Sequence, residues 1–378
     1  MTKPVRIGID TRDLKLATTG TKTYLSELLK AIKNTNQHDY SIIEFSSIWK
    51  PYWGKNLLGK LYEHISFFIW KQLTLPVKTF FAKSDVLICT DYYLPLLKLK
   101  AKHIVVFHDA LFFDHPSYYN PVWLKWFKLI SLNAAKKADA IIVPSEFSLS
   151  RLSVFLPFLK QKMHVIYQGP KTIEQVMAPS KATQAALDNI GDVPFLLHVG
   201  GLEKRKNIPF LIKALDEIRK SKNIKLLLVG RPNPKIYNNS YQEIIETINT
   251  LKLESEVHFT GYVPDEDLPF IYKRALAYIL PSTYEGFGIP ILEGFQYHLP
   301  VVVSNNSCLT EIGGEAVLTF SPFHLNELIE SINKLIDNPV LRDSLIEKGN
   351  HRLSYFNWNQ SAADYLKIID TITKSNAN

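Results

Sequence analysis

The stretch Pro281-Ser282-Thr283-Tyr284-Glu285-Gly286-Phe287-Gly288-Ile289-Pro290-Ile291-Leu292-Glu293-Gly294 decides the fold. The apolar run before it, Ala277-Tyr278-Ile279-Leu280, reads as a buried strand, and Val301-Val302-Val303-Ser304 reads as another. Between them a glycine-bearing loop opens a short helical pattern that stops near His298-Leu299-Pro300. Pro290 suits the first turn of that helix, where a missing N–H costs nothing. Gly286 and Gly288 leave the backbone bare for close approach. Strand, loop and helix in this order aim free N–H groups and the positive end of a helix dipole at whatever sits above the loop, a place for a phosphate or a sugar hydroxyl. Glu285 and Glu293 frame it, and a carboxylate accepts paired hydrogen bonds from a vicinal diol. The plain alternative is a strand–helix joint with a capping Glu. Two acids, an aromatic residue and two prolines in fixed order favour a ligand site.

The same unit recurs earlier in the chain. Val5 to Ile9 reads as a strand, followed by a polar loop through Thr18, Thr19 and Gly20 and a helix with Tyr24, Leu25, Leu28, Leu29 and Ile32 on one face. That joint is either a plain turn or an anion-facing loop. His103 to Phe107 ends in His108-Asp109, and the carboxyl end of a parallel strand is where α/β folds place ligand groups. A structural histidine bonded to backbone is the alternative there. Past a polar stretch from Lys171 to Val193, read as a linker, the pattern restarts at Phe195-Leu196-Leu197-His198-Val199. Gly200-Gly201-Leu202-Glu203-Lys204-Arg205-Lys206 then sets three cations just beyond a strand. A diphosphate needs such a site: arginine grips it in bidentate fashion and lysine acts as a compact charge. A solvated basic loop is the competing reading. Strands and helices alternate in both halves, which predicts an α/β chain of two doubly wound parallel sheets.

Composition bounds the remainder. The 378 residues are 46% hydrophobic and 21% charged, ordinary for a globular chain of two domains. Cys89 and Cys308 lie far apart and show neither a disulfide framework nor zinc spacing, so a reducing cytoplasm fits and no metal site is expected. Met1-Thr2-Lys3-Pro4 does not read as a signal peptide, and no apolar run reaches the ~18 residues of a spanning helix. The net charge of +8 suits an anionic partner. No nucleic-acid module is recognisable, which leaves nucleotide and lipid. Residues 49–83 stand out. Leu57, Leu58, Leu61, Tyr62, Ile65, Phe68 and Ile69 recur at helical spacing among Trp49, Tyr52, Trp53, Phe67, Trp70, Phe80 and Phe81, with interleaved lysines. Such a segment either packs on the sheet with its lysines outward or lies in a membrane interface, and the excess of Trp and Phe favours the interface.

Glu285 to Glu293 spells E-x7-E, and with the ordered motifs around it the chain resembles the retaining glycosyltransferases of family 4, over nearly its whole length and most strongly from Phe195 to Gly314. The resemblance implies a GT-B fold, two Rossmann-like domains facing each other across a cleft. It places an acceptor domain at 1–175, a nucleotide-sugar domain at 176–355, and a terminal helix at 356–378 that packs back on the first domain. It implies that Glu293 holds the ribose hydroxyls and that Glu285, with Gly286 and the N–H groups of Phe287 and Gly288, holds the donor sugar. Arg205 and Lys206, beside Gly201, grip the diphosphate. Family members often carry Gly-Arg where this chain has Gly200-Gly201, so the charge falls on Arg205 and Lys206. Gly20 lies against diphosphate or acceptor, His108 lies near the donor sugar, and Val263 meets the base edge. The catalytic set so implied is Glu285, His108, Arg205 and Lys206.

Asp265-Glu266-Asp267 spells D-x-D, the metal signature of a different glycosyltransferase fold; here Asp265 reads better as a helix cap. The resemblance implies no cofactor beyond the nucleotide-diphosphate sugar, a GDP, UDP or dTDP sugar, and a glycan or lipid-linked acceptor in surface polysaccharide synthesis. It fits a cytoplasmic protein, peripheral at the membrane through 49–83, with no nucleic-acid partner. A nucleotide-sugar epimerase of the same fold, and a non-catalytic nucleotide-binding protein at the membrane, are the competing readings.

Overall fold

The computed structural model describes residues 3–16, 20–35, 39–47, 49, 57–173, 176–231 and 237–374. The chain divides into two units: residues 1–169 with 357–378, and residues 170–356.

The first unit is built on six parallel strands, β1 (Val5–Asp10), β2 (Tyr40–Phe45), β3 (Val86–Cys89), β4 (Lys102–Val106), β5 (Ala140–Val143) and β6 (Met163–Val165). Their order is β2-β1-β3-β4-β5-β6. Successive strand residues point to opposite faces, so each strand feeds two cores. Ile7, Ile9, Val86, Ile88, Ile104 and Val106 pack against Tyr24, Leu25 and Leu28 of the helix Gly20–Lys33 and against Ala362, Tyr365 and Ile369 of the helix Trp358–Lys374. Leu87, Cys89, Val105 and Ile141 enter the other core with Trp70, Leu75 and Phe127. The C-terminal helix is tied in by a buried hydrogen bond, 2.6 Å, between the hydroxyls of Tyr24 and Tyr365. Its first residue, Trp358, lies so close to Gly169 that a Cβ there would sit 2.7 Å from the indole ring.

The helix expected around residues 57–69 is present as Leu57–Ile69 and runs through a widened turn, Trp70–Thr74, into Leu75–Phe81. Of the two facings weighed from the sequence, the one with apolar side chains outward is found. Leu58, Leu61, Ile65, Phe68, Leu73, Val77, Phe80 and Phe81 are exposed, while Ser66, Lys71, Gln72 and Thr79 are buried. Ser66 and Thr79 bond carbonyls of their own helix, while Lys71 and Gln72 turn inward to partners on other segments. Trp70 Nε1 donates to Asp10 at 3.0 Å, Lys71 lies 2.6 Å from both Asp10 and Asp91, and Gln72 bonds the backbone of Leu94 and Leu96 at 3.2 and 2.8 Å. Tyr52, Trp53 and two lysines of the same stretch, Lys50 and Lys55, lie outside the described residues. Among the described residues no helix is long and apolar enough to cross a membrane.

The second unit carries β7 (Phe195–Val199), β8 (Lys225–Val229), β9 (Val257–Gly261), β10 (Ala277–Leu280), β11 (Val301–Ser304) and β12 (Val317–Phe320). All pair in parallel, in the order β12-β11-β10-β7-β8-β9. The stretch expected to be a linker holds a helix, Lys181–Ile190, capped by Ser180. The cap expected at Asp265 is also corrected. A tight turn spans Asp265–Asp267, the helix begins at Leu268, and Asp265 pairs with Lys171. Asp267 instead accepts from Ser180 N and Thr183 Oγ1 at 3.0 and 2.7 Å, satisfying the start of the neighbouring helix.

Candidate functional site

In an open parallel sheet, ligands bind beyond the carboxyl ends of the two strands where the order reverses. In the second unit those strands are β7 and β10. The loop after β7 is Gly200 to Asn207 and the loop after β10 is Pro281 to Gly288, so the sheet order alone brings the two sequence motifs together. Backbone stitches them: Thr283 N and Oγ1 donate to the Arg205 carbonyl at 2.7 and 3.2 Å. Gly230, after β8, presses against the first loop so tightly that a Cβ would sit 1.9 Å from the Gly200 carbonyl oxygen.

Glu285 is the hub. Arg205 donates to one of its oxygens at 2.7 Å, and Lys206 and Ser282 donate to the other at 2.6 and 2.7 Å. Burial alone would raise this carboxyl, but the Arg205 and Lys206 charges outweigh it and hold Glu285 down at about 2. Arg205 is further braced by Glu203 at 2.8 Å and the Tyr284 carbonyl at 3.2 Å. The loop itself is clamped from the segment after β11. Ser307 Oγ accepts from Glu285 N at 3.2 Å, Asn306 donates to the Thr283 carbonyl at 2.7 Å, and the Cys308 thiol lies 3.2 and 3.0 Å from the carbonyls of Glu285 and Phe287.

Gly288 has φ of 101°, a left-handed conformation that suits glycine, and opens the helix Ile289–Gln296 with Pro290 in its first turn. Phe287 is buried edge-on to Phe356, with ring centres 5.9 Å apart. Glu293 lies within that helix, buried, and accepts from Tyr272 Oη at 2.7 Å. Burial raises its carboxyl above the ordinary value, opposed by the Tyr272 bond and the Lys171 charge. The two acids therefore sit in opposite electrostatic settings.

The structure brings Gly201, Arg205, Lys206, Glu285, Gly286, Phe287, Gly288 and Glu293 onto the loops and helix at one switch point. Val263 is buried just past β9, beside the exposed Tyr262, over whose ring the Arg231 guanidinium lies at 5.1 Å. His108 and Gly20 belong to the first unit. His108 lies 2.7 Å from the Thr90 carbonyl and edge-on to Tyr24, and burial lowers it below the ordinary imidazole value. Gly20 is the exposed first residue of its helix, and Thr18 and Thr19 fall outside the described residues.

Two groups escaped the sequence reading. His198 is fully buried, its Nδ1 lies 3.0 Å from the Ile279 carbonyl, and its Nε2 has no hydrogen-bond partner among the described residues. Burial and the Lys206 charge push it down to about 4. Tyr272 is the other. A strand reads as a row of apolar residues, and neither side chain belongs to a motif. In the first unit, Asp10, Cys89 and Asp91 gather at the β1/β3 switch with ligand atoms within 4.8 Å of one another, and the cation among them is the Lys71 ammonium.

Two doubly wound parallel sheets, the second with paired loops at its switch point, are the architecture of the GT-B fold. Two family models match, "Glycosyltransferase Family 4" at residues 19–174 and "Glycosyl transferases group 1" at residues 180–352. The chain belongs to glycosyltransferase family 4. It is 26% identical to the O-antigen chain mannosyltransferase B of Escherichia coli, over 71% of this chain and 69% of that one. Among solved structures it resembles the sucrose-phosphate synthase of Thermosynechococcus elongatus, with a TM-score of 0.75, 19% identity, and coverage of 98% of this chain and 100% of that one. It also resembles the Anabaena protein HepE solved with UDP and glucose, with a TM-score of 0.68, 18% identity, and coverage of 96% and 99%.

Proposed function

We propose that the chain transfers a hexose-type sugar, with retention, from a nucleotide-diphosphate sugar to a glycan or lipid-linked acceptor in surface polysaccharide synthesis. The observation that carries this reading is the cluster of Arg205, Lys206 and Glu285 at the β7/β10 switch point. In that reading the diphosphate takes over N–H donors of Arg205 and Lys206, and Glu285, freed on one oxygen, accepts from the donor sugar. Glu293 takes the ribose diol, Gly286, Phe287 and Gly288 present backbone to the sugar, and Val263 borders the base. Breaking the bond to phosphate builds negative charge on the leaving group, and fixed cations and N–H dipoles lower that barrier. The leaving phosphate takes the acceptor's proton as the acceptor attacks from the same face. His108 and the Gly20 loop are assigned to the acceptor and sugar side. The reaction is proposed to need no metal.

The relatives support a hexosyl donor and a polysaccharide product, since one is a mannosyltransferase of O-antigen chains and one was solved with UDP and glucose. The lipid-linked acceptor agrees with the exposed apolar face of 57–81, through which the protein is proposed to sit peripherally on a membrane. Transfer is tested by release of nucleoside diphosphate from UDP, GDP and dTDP sugars with and without acceptor. Release that depends on acceptor separates transfer from epimerisation. Glu293→Gln and Lys206→Ala are each expected to slow transfer by about tenfold or more, while a chelator leaves the rate intact. Unchanged rates in both variants, or full loss with chelator, refute the assignment.

A further inference from the structure

The segment Leu57–Phe81 carries apolar side chains on two sides. It buries Trp70 and Leu75 with a lysine, a glutamine, a serine and a threonine, and shows solvent a second stripe of apolar side chains, with Leu58 76% and Phe81 77% exposed. Positions 58, 61, 65, 68, 73, 77 and 81 keep helical spacing across the widened turn, so the stripe extends roughly 35 Å at 1.5 Å per residue. Apolar surface of this extent and continuity marks an interaction face.

At the far end of the stripe the rings of Phe80 and Phe81 border a cavity of about 620 Å³ whose walls include Lys3, Lys83, Lys100 and Lys102. Among the described residues Asp85 is the only acid that lines it, and its carboxylate already accepts from Arg6 N at 2.8 Å. Lys100 Nζ stands 5.9 Å over the Phe80 ring, while Lys102 faces Asp139 at 3.6 Å. The cavity opens at the amino ends of β1, β3 and β4, the opposite end of the sheet from Asp10 and Asp91.

We propose that this cavity seats the phosphate of an anionic phospholipid while the stripe lies in the interface of the same leaflet. The chemistry is complementary on both counts: lysines meet a phosphodiester, and the flanking rings and stripe meet acyl chains. A second copy of the chain would set lysines against lysines at a net charge of +8. The inference deepens the membrane contact named above and is independent of sugar transfer.

The full chain is sedimented with vesicles, without nucleotide sugar, so that failure of the transfer reading leaves the result intact. Wild type is expected to bind vesicles rich in phosphatidylglycerol and to bind pure phosphatidylcholine poorly. Lys83→Glu with Lys100→Glu, and separately Phe68→Ser with Leu73→Ser, are each expected to weaken binding by about tenfold or more with little change in Tm. Undiminished binding by the cavity pair overturns the proposal. So does equal binding to both vesicles, or calorimetric binding of inorganic phosphate as tight as that of the lipid. A dimer that the stripe pair abolishes, with vesicle binding unchanged, assigns the face to a second copy instead.

Discussion

Glu285 and Glu293 are the same residue type eight positions apart, yet their surroundings drive them in opposite directions. Glu285 stays ionised at any pH well above about 2, so its contribution is present above the ordinary carboxyl value and is lost only as pH falls through about 2. Glu293 is raised above 4.5, so it takes up a proton first as pH falls. If donor binding needs the Glu293 carboxylate, kcat/KM has an acid limb above pH 4.5, and Glu293→Gln removes that limb. Tyr272 acts through Glu293 and is a positioning residue. Its hydrogen bond lowers the acid, so Tyr272→Phe is expected to move the limb to higher pH and to raise the donor KM by about tenfold, the worth of one buried hydrogen bond to a charged group. A pH profile with the limb unmoved would reduce Tyr272 to packing.

Elements place these groups, and here the sequence was legible where periodicity was strong. The strand–loop–helix around Glu285 is found where the apolar runs and Pro290 put it, because a buried parallel strand is continuous in apolar residues and a proline fits a first turn. The helix of 57–69 was legible in its spacing, but the inward turn of Lys71 and Gln72 just after it was not, since Asp10, Asp91 and Leu94 supply their partners from distant segments. His198 and Tyr272 were illegible for a related reason: their roles come from a carbonyl and a carboxylate far away in sequence. The loop after β7 has its own rule. Gly230→Ala forces a Cβ onto the Gly200 carbonyl and is expected to cost about 3 kcal/mol or more. Gly261→Ala, at φ of 70° with open space around it, is expected to cost about 1 kcal/mol from backbone conformation alone. Denaturant midpoints compare the two, and equal losses would remove the close-approach argument.

At the scale of the molecule, buried histidines contribute to the acid behaviour, His103 and His198 most strongly and His108 in the same direction. His103, beside Lys98, and His198, beside Lys206, are each pushed down to about 4, chiefly by burial. Their unfolded forms bind protons below about 6.5, so stability is full above that value and falls between pH 6.5 and 4. Each contributes a loss on the order of 3 kcal/mol across that window. The Tm measured against pH is expected to drop there, and His198→Gln is expected to make the slope shallower. Removing residues 357–374 is expected to lower the melting temperature of the first unit, because Tyr24, Leu25 and Leu28 lose the helix that covers them. Limited proteolysis that leaves the first unit as resistant as before would contradict that.

The last helix has a consequence for synthesis. A ribosome delivers β1 through β6 early, but the face of their sheet that Tyr365 and Ile369 cover waits until residues 357–374 have emerged. The second unit has all its strands in one run of chain and can close first, although it is translated later. The nascent first unit therefore carries an uncovered apolar surface while some 187 intervening residues, 170–356, are made. Chaperone occupancy on a stalled chain should be highest in that interval and should end when the tail is released.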